Sequence, residues 1–343
     1  MVGKFILEDG SIHEGISFGS NQSVAGEAVF ATGMTGYPES FTDPSYAGQI
    51  LILTYPLIGN YGVPDKKYWE SKNMQITGLI VSHYIDTPSH FQNKMNLSEW
   101  LKKERIPALE IPDTRYLTQK IRTKGVMLGK IIFDRDIPFY DPNLENLVAK
   151  VSTKTITKEG SGKKTALLID CGTKENIKRC LLKRGLRVIT VPWDFDPFEH
   201  DIKFDMLVVS NGPGNPEMVT KTIETIKKAL EKKIPTLGIC LGHQLLALAA
   251  GGDTYKLKFG HRSQNQPCML NESPRCYITT QNHGFAVGKI PEGFKPWFTN
   301  ANDRSNEGLM HEKLPFMSVQ FHPEANPGPT DAEWIFDYFL EKI

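Results

Sequence analysis

The sequence predicts an α/β protein, with a C-terminal doubly wound, mostly parallel sheet that carries a cysteine nucleophile elbow, preceded by a mixed α+β N-terminal domain. The 343 residues are enough for two domains. From residue 165 onward, short apolar runs alternate with stretches of helical periodicity, which is typical of parallel sheets. Before that point the apolar runs are short and broken by Gly, Pro, Asn and Ser, which favours a mixed arrangement.

The N-terminal domain is expected to cover residues 1–153. Apolar runs at 48–55 and 76–82 predict strands, and periodic stretches at 96–104 and 114–123 predict helices. Asp113 precedes the second helix and is a candidate N-cap.

A polar segment at residues 154–164 is predicted to be a linker. Its Gly160-Ser-Gly-Lys-Lys164 resembles a phosphate-binding loop, but Lys164 stands where that loop needs Ser or Thr. The segment also precedes a strand instead of following one. We therefore predict no nucleotide site in this chain.

The C-terminal domain is expected to cover residues 165–343. The pattern predicts strands at 165–170, 186–191, 205–210 and 235–239, and helices at 175–184, 217–232 and 242–250. Residues 253–320 are less periodic and are expected to add antiparallel strands. In doubly wound sheets, ligands bind at the carboxyl ends of the strands.

A nucleophile elbow is predicted where the strand at 235–239 ends. Cys240 lies between Gly238 and Gly242, directly before a helical stretch. Such a turn needs small neighbours, and the helix N-terminus favours a thiolate. The alternative for this motif alone is a buried cysteine between two turn glycines.

Two further segments support catalysis. His322 and Glu324 follow an apolar run, and residues two apart in an extended chain point to the same face. Glu324 is therefore positioned to orient His322 as the base for Cys240. The loop Asn211–Pro216 is rich in Gly and Pro and follows a strand, so its backbone N–H groups are candidates for an oxyanion hole.

These motifs resemble those of class I (triad) glutamine amidotransferases, and others narrow the resemblance to small subunits of carbamoyl-phosphate synthetases. The resemblance covers nearly the whole chain. The segments that carry the narrower resemblance are Leu7-Glu-Asp-Gly10, Thr35-Gly-Tyr-Pro-Glu39, Thr42-Asp-Pro-Ser-Tyr46, Leu53-Thr-Tyr-Pro56, Ile58-Gly-Asn-Tyr-Gly62, Tyr255-Lys-Leu-Lys-Phe-Gly-His-Arg262, Gln281-Asn-His-Gly-Phe-Ala-Val287 and Pro327-Gly-Pro329.

The resemblance implies roles for individual residues. Cys240 would be the nucleophile, His322 the general base and acid, and Glu324 the residue that orients it. Backbone N–H groups of Gly214 and Leu241 would form the oxyanion hole. The residues implied to bind L-glutamine are Ser45, Gly212, Gly214, Leu241, Gln244, Asn282, Gly284 and Phe285.

The resemblance also implies a partner. The chain would hydrolyse L-glutamine and pass ammonia to a large, ATP-dependent synthetase subunit, for arginine and/or pyrimidine biosynthesis. This chain itself would need no cofactor and no metal. Ser45 lies in the N-terminal half, so the glutamine would sit against the domain junction.

Composition excludes several other classes of function. The net charge is +1, which gives no electrostatic footprint for nucleic acid. No apolar run approaches the roughly 20 residues of a membrane span, and the charged N-terminus does not predict a signal peptide. The cysteines number 5 and include no Cys-x-x-Cys pair, so we expect a reducing, cytoplasmic location.

Three alternatives remain open from the sequence. Amidotransferases of anthranilate or guanylate synthesis share the triad motifs but lack this N-terminal half. A stand-alone γ-glutamyl hydrolase on the same fold would need no partner. A regulatory module with a decayed triad is a different class, which the intact Cys240, His322 and Glu324 argue against.

Overall fold

The computed structural model describes residues 1–343, which divide into two units. The units are Met1–Leu144 and Glu145–Ile343. The second unit therefore begins before the expected boundary at residue 153, because Val148 packs into the core of that unit. Residues 157–159, inside the segment expected to be a linker, form an edge strand whose partner lies about thirty residues away in the sequence.

The N-terminal unit is built on a closed seven-stranded barrel. The strands of the whole unit, which include two outside the barrel, are β1 (Val2–Leu7), β2 (Ile12–Ser17), β3 (Val24–Ala31), β4 (Gln49–Leu53), β5 (Leu57–Ile58), β6 (Gly78–Val81), β7 (His83–Tyr84), β8 (Ala108–Glu110) and β9 (Met127–Ile132). Its helices are α1 (Tyr37–Thr42), α2 (Leu97–Lys103) and α3 (Thr114–Lys124). The barrel order is β1-β2-β8-β6-β4-β3-β9, and β5 pairs separately with β7.

The two predicted helices of this unit are confirmed within one residue as α2 and α3. Asp113 caps α3, since its carboxylate accepts a hydrogen bond from the backbone N–H of Tyr116 at 2.8 Å. The barrel closure was not predictable from the apolar runs, because it depends on the pairing of β1 with β9 across most of the unit.

The C-terminal unit combines ten strands with five helices. The strands are β10 (Thr157–Glu159), β11 (Thr165–Asp170), β12 (Arg187–Pro192), β13 (Met206–Val209), β14 (Thr236–Ile239), β15 (Thr254–Leu270), β16 (Cys276–Val287), β17 (Phe294–Asn300), β18 (Asn306–His311) and β19 (Phe316–Val319). The helices are α4 (Val148–Val151), α5 (Glu175–Lys183), α6 (Thr220–Glu231), α7 (Leu241–Ala249) and α8 (Trp334–Glu341).

These strands form one sheet in the order β10-β12-β11-β13-β14-β19-β18-β16-β15-β17. The five from β12 to β19 are parallel to one another. The strands β15 to β18 are antiparallel, as expected for residues 253–320. The carboxyl ends of β11, β13, β14 and β19 therefore meet at one edge of the sheet.

Alternation along β11 explains the layers on the two faces of the sheet. Leu168 belongs to a buried cluster that includes residues of α5 and α8. Leu167 belongs to another cluster that includes residues of α6 and α7. Successive side chains of a strand point to opposite faces, so the parallel strands bury apolar residues against helices on both sides. This is the doubly wound arrangement that the sequence predicts.

The predicted elements of this unit agree with the structure, with small differences at their ends. The helix expected from residue 217 begins as α6 at Thr220, because Pro216–Met218 forms a separate 3₁₀ turn. None of the helices has the length and hydropathy that crossing a membrane requires.

Candidate active site

The candidate site lies at the carboxyl edge of the parallel strands. Cys240 follows β14 directly, and His322 and Glu324 follow β19. The loop Asn211–Pro216 follows β13. Because β13, β14 and β19 are adjacent and parallel, their terminal loops converge at this edge.

The backbone around Cys240 is the predicted nucleophile elbow. Cys240 has φ 54° and ψ −102°, a strained conformation for a residue with a side chain. A Cβ on Gly238 would lie 2.4 Å from the carbonyl oxygen of Gly242, and one on Gly242 would lie 2.2 Å from that of Val209. Both glycines are therefore required by the close approach of backbone, as the sequence predicts.

The thiol of Cys240 is buried among polar groups. Its Sγ lies 3.7 Å from the carbonyl oxygen of Asn282 and 3.7 Å from Nε2 of Gln320, which is a hydrogen-bond donor. The backbone N–H of Cys240 donates to the carbonyl of Val319 at 2.8 Å, which ties the elbow to the last parallel strand. Both the side chain and the backbone of Cys240 are therefore held by neighbouring strands and by Gln320.

His322 and Glu324 form the predicted pair. Nδ1 of His322 donates to Oε1 of Glu324 at 2.6 Å. Burial disfavours the imidazolium and has the largest single effect, but the interactions with the carboxylate of Glu324 and with Cys240 together outweigh burial and raise the pKa of His322 to about 10. Nε2 of His322 forms no other hydrogen bond in the protein. The imidazole therefore lies beside Cys240, the predicted nucleophile.

A buried lysine completes the charge arrangement. Nζ of Lys174 lies 3.0 Å from Oε1 of Glu324, and both side chains are almost fully inaccessible to solvent. Burial alone would raise the pKa of Glu324, but Lys174 and then His322 outweigh it and hold that pKa at about 2. Glu324 is consequently ionised throughout the neutral range and holds the imidazole in one orientation.

The loop Asn211–Pro216 lies close to the elbow. Oδ1 of Asn211 accepts a hydrogen bond from the backbone N–H of Lys174 at 3.0 Å. A Cβ on Gly212 would lie 2.8 Å from the side chain of Leu241, the residue after the nucleophile. The backbone N–H groups of Gly214 and Leu241 donate no hydrogen bond within the fold, and their role in an oxyanion hole stays a prediction.

Several residues predicted to bind glutamine also meet near Cys240. Nε2 of Gln244 donates to the carbonyl oxygen of Phe285 at 2.8 Å and to Oε1 of Gln320 at 3.0 Å. Asn282 and Gly284 lie on the same strand, β16, and the carbonyl of Asn282 contacts the thiol. Their role toward glutamine itself stays a prediction.

Ser45 belongs to the N-terminal unit, where it is buried in the 3₁₀ turn Pro44–Tyr46. Its backbone N–H donates to the carboxylate of Asp43 at 2.9 Å, which fixes the turn. Its proposed contact with glutamine also stays a prediction.

Sequence reasoning did not assign roles to Lys174, Asn176 or Gln320. Lys174 and Asn176 lie just beyond the carboxyl end of β11, so their position in the topology was the available signal. Lys174 bonds to the carbonyl of Ala325, and Asn176 to that of Glu324. Gln320 immediately follows β19, within the segment that carries His322.

Replacing Lys174 by Met tests the buried charge arrangement. Removing one partner of a buried ion pair leaves the other uncompensated, so we expect Lys174→Met to lower the free energy of unfolding by about 3–5 kcal/mol at pH 7. Lys178→Met is the matched control, because Lys178 pairs with the more exposed Glu159 and Glu175 and should cost about 0–1 kcal/mol. Chemical denaturation measures both values.

The pH dependence of this effect adds a second readout. The folded-state pKa of Glu324 is depressed, so its contribution to stability is complete above the ordinary carboxyl pKa of 4.5 and is lost as the pH falls toward about 2. The difference between wild type and Lys174→Met should therefore shrink over that range. Equal destabilisation by the two lysine variants at pH 7 would contradict the assignment of Lys174 and Glu324 as a buried ion pair.

Comparison with known proteins matches both halves of the chain to described families. Residues 5–131 match the family "Carbamoyl-phosphate synthase small chain, CPSase domain". Residues 167–342 match "Glutamine amidotransferase class-I".

Curated relatives match over almost the full length of the chain. The carbamoyl phosphate synthase arginine-specific small chain of Saccharomyces cerevisiae is 46% identical, over 99% of this chain and 88% of that protein. The multifunctional protein URA2 of the same yeast is 47% identical, over 98% of this chain. The mitochondrial carbamoyl-phosphate synthase [ammonia] of Mus musculus is 46% identical, also over 98%.

The two larger relatives are much longer than this chain, which spans 17% of URA2 and 23% of the mouse protein. The yeast small chain, by contrast, is similar in extent. Both halves of the chain match these families, and the yeast small chain matches over almost the whole length. The chain therefore belongs to the family of carbamoyl-phosphate synthase small chains, with a C-terminal class I glutamine amidotransferase domain.

Proposed function

We propose that this chain is the glutaminase subunit of a glutamine-hydrolysing carbamoyl-phosphate synthetase. The observation that carries the proposal is the strained Cys240 elbow beside His322, which Glu324 holds at 2.6 Å. An acid–base pair next to an elbow cysteine suits attack on a carboxamide.

The reaction follows from the positions of these groups. The Cys240 thiolate attacks the side-chain amide carbon of glutamine, and the N–H groups of Gly214 and Leu241 stabilise the resulting oxyanion. His322 gives its proton to the departing nitrogen, so the C–N bond breaks, ammonia leaves, and a γ-glutamyl thioester remains on Cys240. His322 then takes a proton from water, which attacks the thioester and releases glutamate.

The ammonia is proposed to pass to a large ATP-dependent synthetase subunit, for arginine and/or pyrimidine biosynthesis in the cytoplasm. The N-terminal unit supports this, because it matches the small-chain family and supplies no member of the triad. We propose that it provides much of the docking surface, which for a stable complex should exceed roughly 1,000 Å² in total. The hydrolysis itself needs no cofactor in this chain.

The variant Cys240→Ser tests the nucleophile. A serine hydroxyl is far less acidic than a thiol, so glutamine hydrolysis should fall by several orders of magnitude while the fold is retained. Glutamate release measures the loss, and circular dichroism checks the fold. Cys276→Ser, at the exposed cysteine, is the matched control and should keep full activity.

The complex that contains Cys240→Ser should still make carbamoyl phosphate from free ammonia, since that route bypasses the thioester. Substantial glutaminase activity in Cys240→Ser would remove Cys240 from the proposed role.

The variant Ser45→Ala tests the N-terminal contribution to the substrate site. Loss of one hydrogen bond worth about 0.5–1.5 kcal/mol should raise KM for glutamine about two- to twelvefold. Alkylation of Cys240 by iodoacetamide should proceed at the wild-type rate, because the thiol itself is untouched. Ser23→Ala, elsewhere in the same unit, should change neither quantity. Unaltered kinetics in Ser45→Ala would exclude Ser45 from glutamine binding.

The dependence on a partner separates this proposal from a stand-alone γ-glutamyl hydrolase. The chain alone should hydrolyse glutamine slowly, and the large subunit with ATP and bicarbonate should accelerate it. A sheltered route would keep ammonia unprotonated and nucleophilic until it reacts. Glutaminase rates are measured for the chain alone, with the partner, and with partner plus substrates. An isolated chain that matches the complex, with no large subunit co-purifying, would favour the stand-alone hydrolase.

A further inference from the structure

A second cluster of ionisable side chains lies in the antiparallel part of the C-terminal sheet. His261 on β15, His283 on β16 and Glu307 on β18 each offer one ligand atom, and these atoms lie within 4.8 Å of one another. All three side chains are buried, with Glu307 fully inaccessible. None of them belongs to the catalytic triad.

The hydrogen bonds of His283 leave a lone pair without a donor. Nδ1 lies 2.7 Å from the carbonyl oxygen of Phe285, so this nitrogen carries a proton. Nε2 lies 3.0 Å from Oε1 of Gln281, which is also an acceptor. The orientation of the Gln281 amide is fixed, because its Nε2 donates to Glu307 at 2.9 Å and to Thr279 at 3.2 Å. A neutral His283 therefore turns a lone pair toward an oxygen.

His261 also has a ring nitrogen whose lone pair would face an acceptor oxygen. Its Nε2 lies 2.9 Å from the carboxylate of Asp303 and donates to it. Its Nδ1 lies 3.5 Å from Oε1 of Glu307 and forms no hydrogen bond, although the side chain is only 8% exposed. A neutral His261 thus also turns a lone pair toward a carboxylate oxygen, at the point where the three residues converge.

Two additional protons, or one metal ion, would remove both contacts between a lone pair and an oxygen. Two protons would place imidazolium rings with centroids 4.9 Å apart in a buried environment. Two like charges at that separation, away from water, would repel each other, which disfavours this arrangement. A single divalent cation would be coordinated by both lone pairs and by the carboxylate, while both imidazoles remain neutral.

We propose that His261, His283 and Glu307 bind one divalent transition-metal ion, of the type that Zn²⁺ represents. The ligand atoms are Nδ1 of His261, Nε2 of His283 and Oε1 of Glu307. Tetrahedral zinc places such atoms about 3.3 Å apart, and the first and last already lie 3.5 Å apart. The other two pairs of ligand atoms lie within 4.8 Å, so they would reach the distance for zinc by moving together on the order of 1 Å. Oε1 of Gln281, which lies 3.0 Å from Nε2 of His283, is a candidate for a fourth position.

The groups around the cluster match those that support metal ligands in proteins. Ligating histidines donate their other ring N–H to a carboxylate or a backbone carbonyl, and ligating carboxylates are hydrogen-bonded in turn. His261 donates to Asp303, His283 donates to the carbonyl of Phe285, and Glu307 accepts from Gln281 and Asn300. Each ligand therefore already has an orienting partner.

The ion would also stiffen the strand beside the nucleophile. His283 lies between Asn282 and Gly284, and the Phe285 carbonyl that it holds also accepts from Gln244 at 2.8 Å. Metal binding would thus fix the segment that is predicted to contact glutamine. This consequence rests on the proposed glutaminase function, whereas metal binding itself does not.

Zinc binding to the full chain tests the site directly. The protein is purified without a histidine tag, stripped with a chelator, and titrated with Zn²⁺ by calorimetry. The Cys240→Ser background removes the catalytic thiol as a competing ligand, and Cys276→Ser removes the exposed one. We expect a single tight zinc equivalent in this background, a higher Tm with zinc, and visible d–d absorption of tetrahedral character with Co²⁺.

Glu307→Gln and His261→Asn should each weaken zinc binding at least tenfold and abolish the zinc-dependent rise in Tm. His311→Gln, at a half-buried histidine outside the cluster, is the matched control and should bind zinc as the background does. Two ligand variants are used so that failure of one to fold leaves the test intact. If no zinc ion binds tightly, or if both ligand variants still bind zinc tightly, the proposal is overturned. The two histidines would then be satisfied by protonation instead of by a metal ion. Neither result depends on glutaminase activity.

Discussion

The buried contact between Glu324 and Lys174 is the interaction on which the rest of the candidate site depends. An ionised carboxylate away from water is costly unless it is paired and hydrogen-bonded. At 3.0 Å, Lys174 supplies the pairing, and the 2.6 Å bond from His322 supplies the second contact. These contacts keep Glu324 ionised, and an ionised Glu324 is what keeps His322 cationic and oriented.

Charge balance extends this argument to the nucleophile. Lys174 and His322 bring two buried cations to the site, whereas Glu324 brings one anion. An imidazolium beside a cysteine is a usual means by which proteins activate the thiol, and this is the role proposed for His322 toward Cys240. The elbow then sets the position of the sulfur, because its strained backbone is tied to β13 and β19 on either side.

How much the sequence predicts depends on whether the interaction is local. The elbow at Cys240, the pair His322 and Glu324, and the helix capped by Asp113 follow from short-range spacing, and the structure has each of them. The strand within residues 154–164 and the closure of the N-terminal barrel depend on pairing between distant segments, which periodicity does not encode. Lys174 was missed for the same reason, since its partner lies 150 residues away.

The histidine cluster extends this reasoning to a site with no sequence signature. Its members come from β15, β16 and β18, and no pair has the short spacing of a metal-binding motif. They meet because antiparallel pairing places His261 directly opposite His283. Gln281 and His283 are two residues apart on β16, so their side chains point to one face, toward the cluster, and the intervening Asn282 contacts Cys240 through its backbone carbonyl. One strand therefore connects the proposed metal site to Cys240, the proposed nucleophile, so a cation bound by the histidines would also restrain the strand segment beside Cys240.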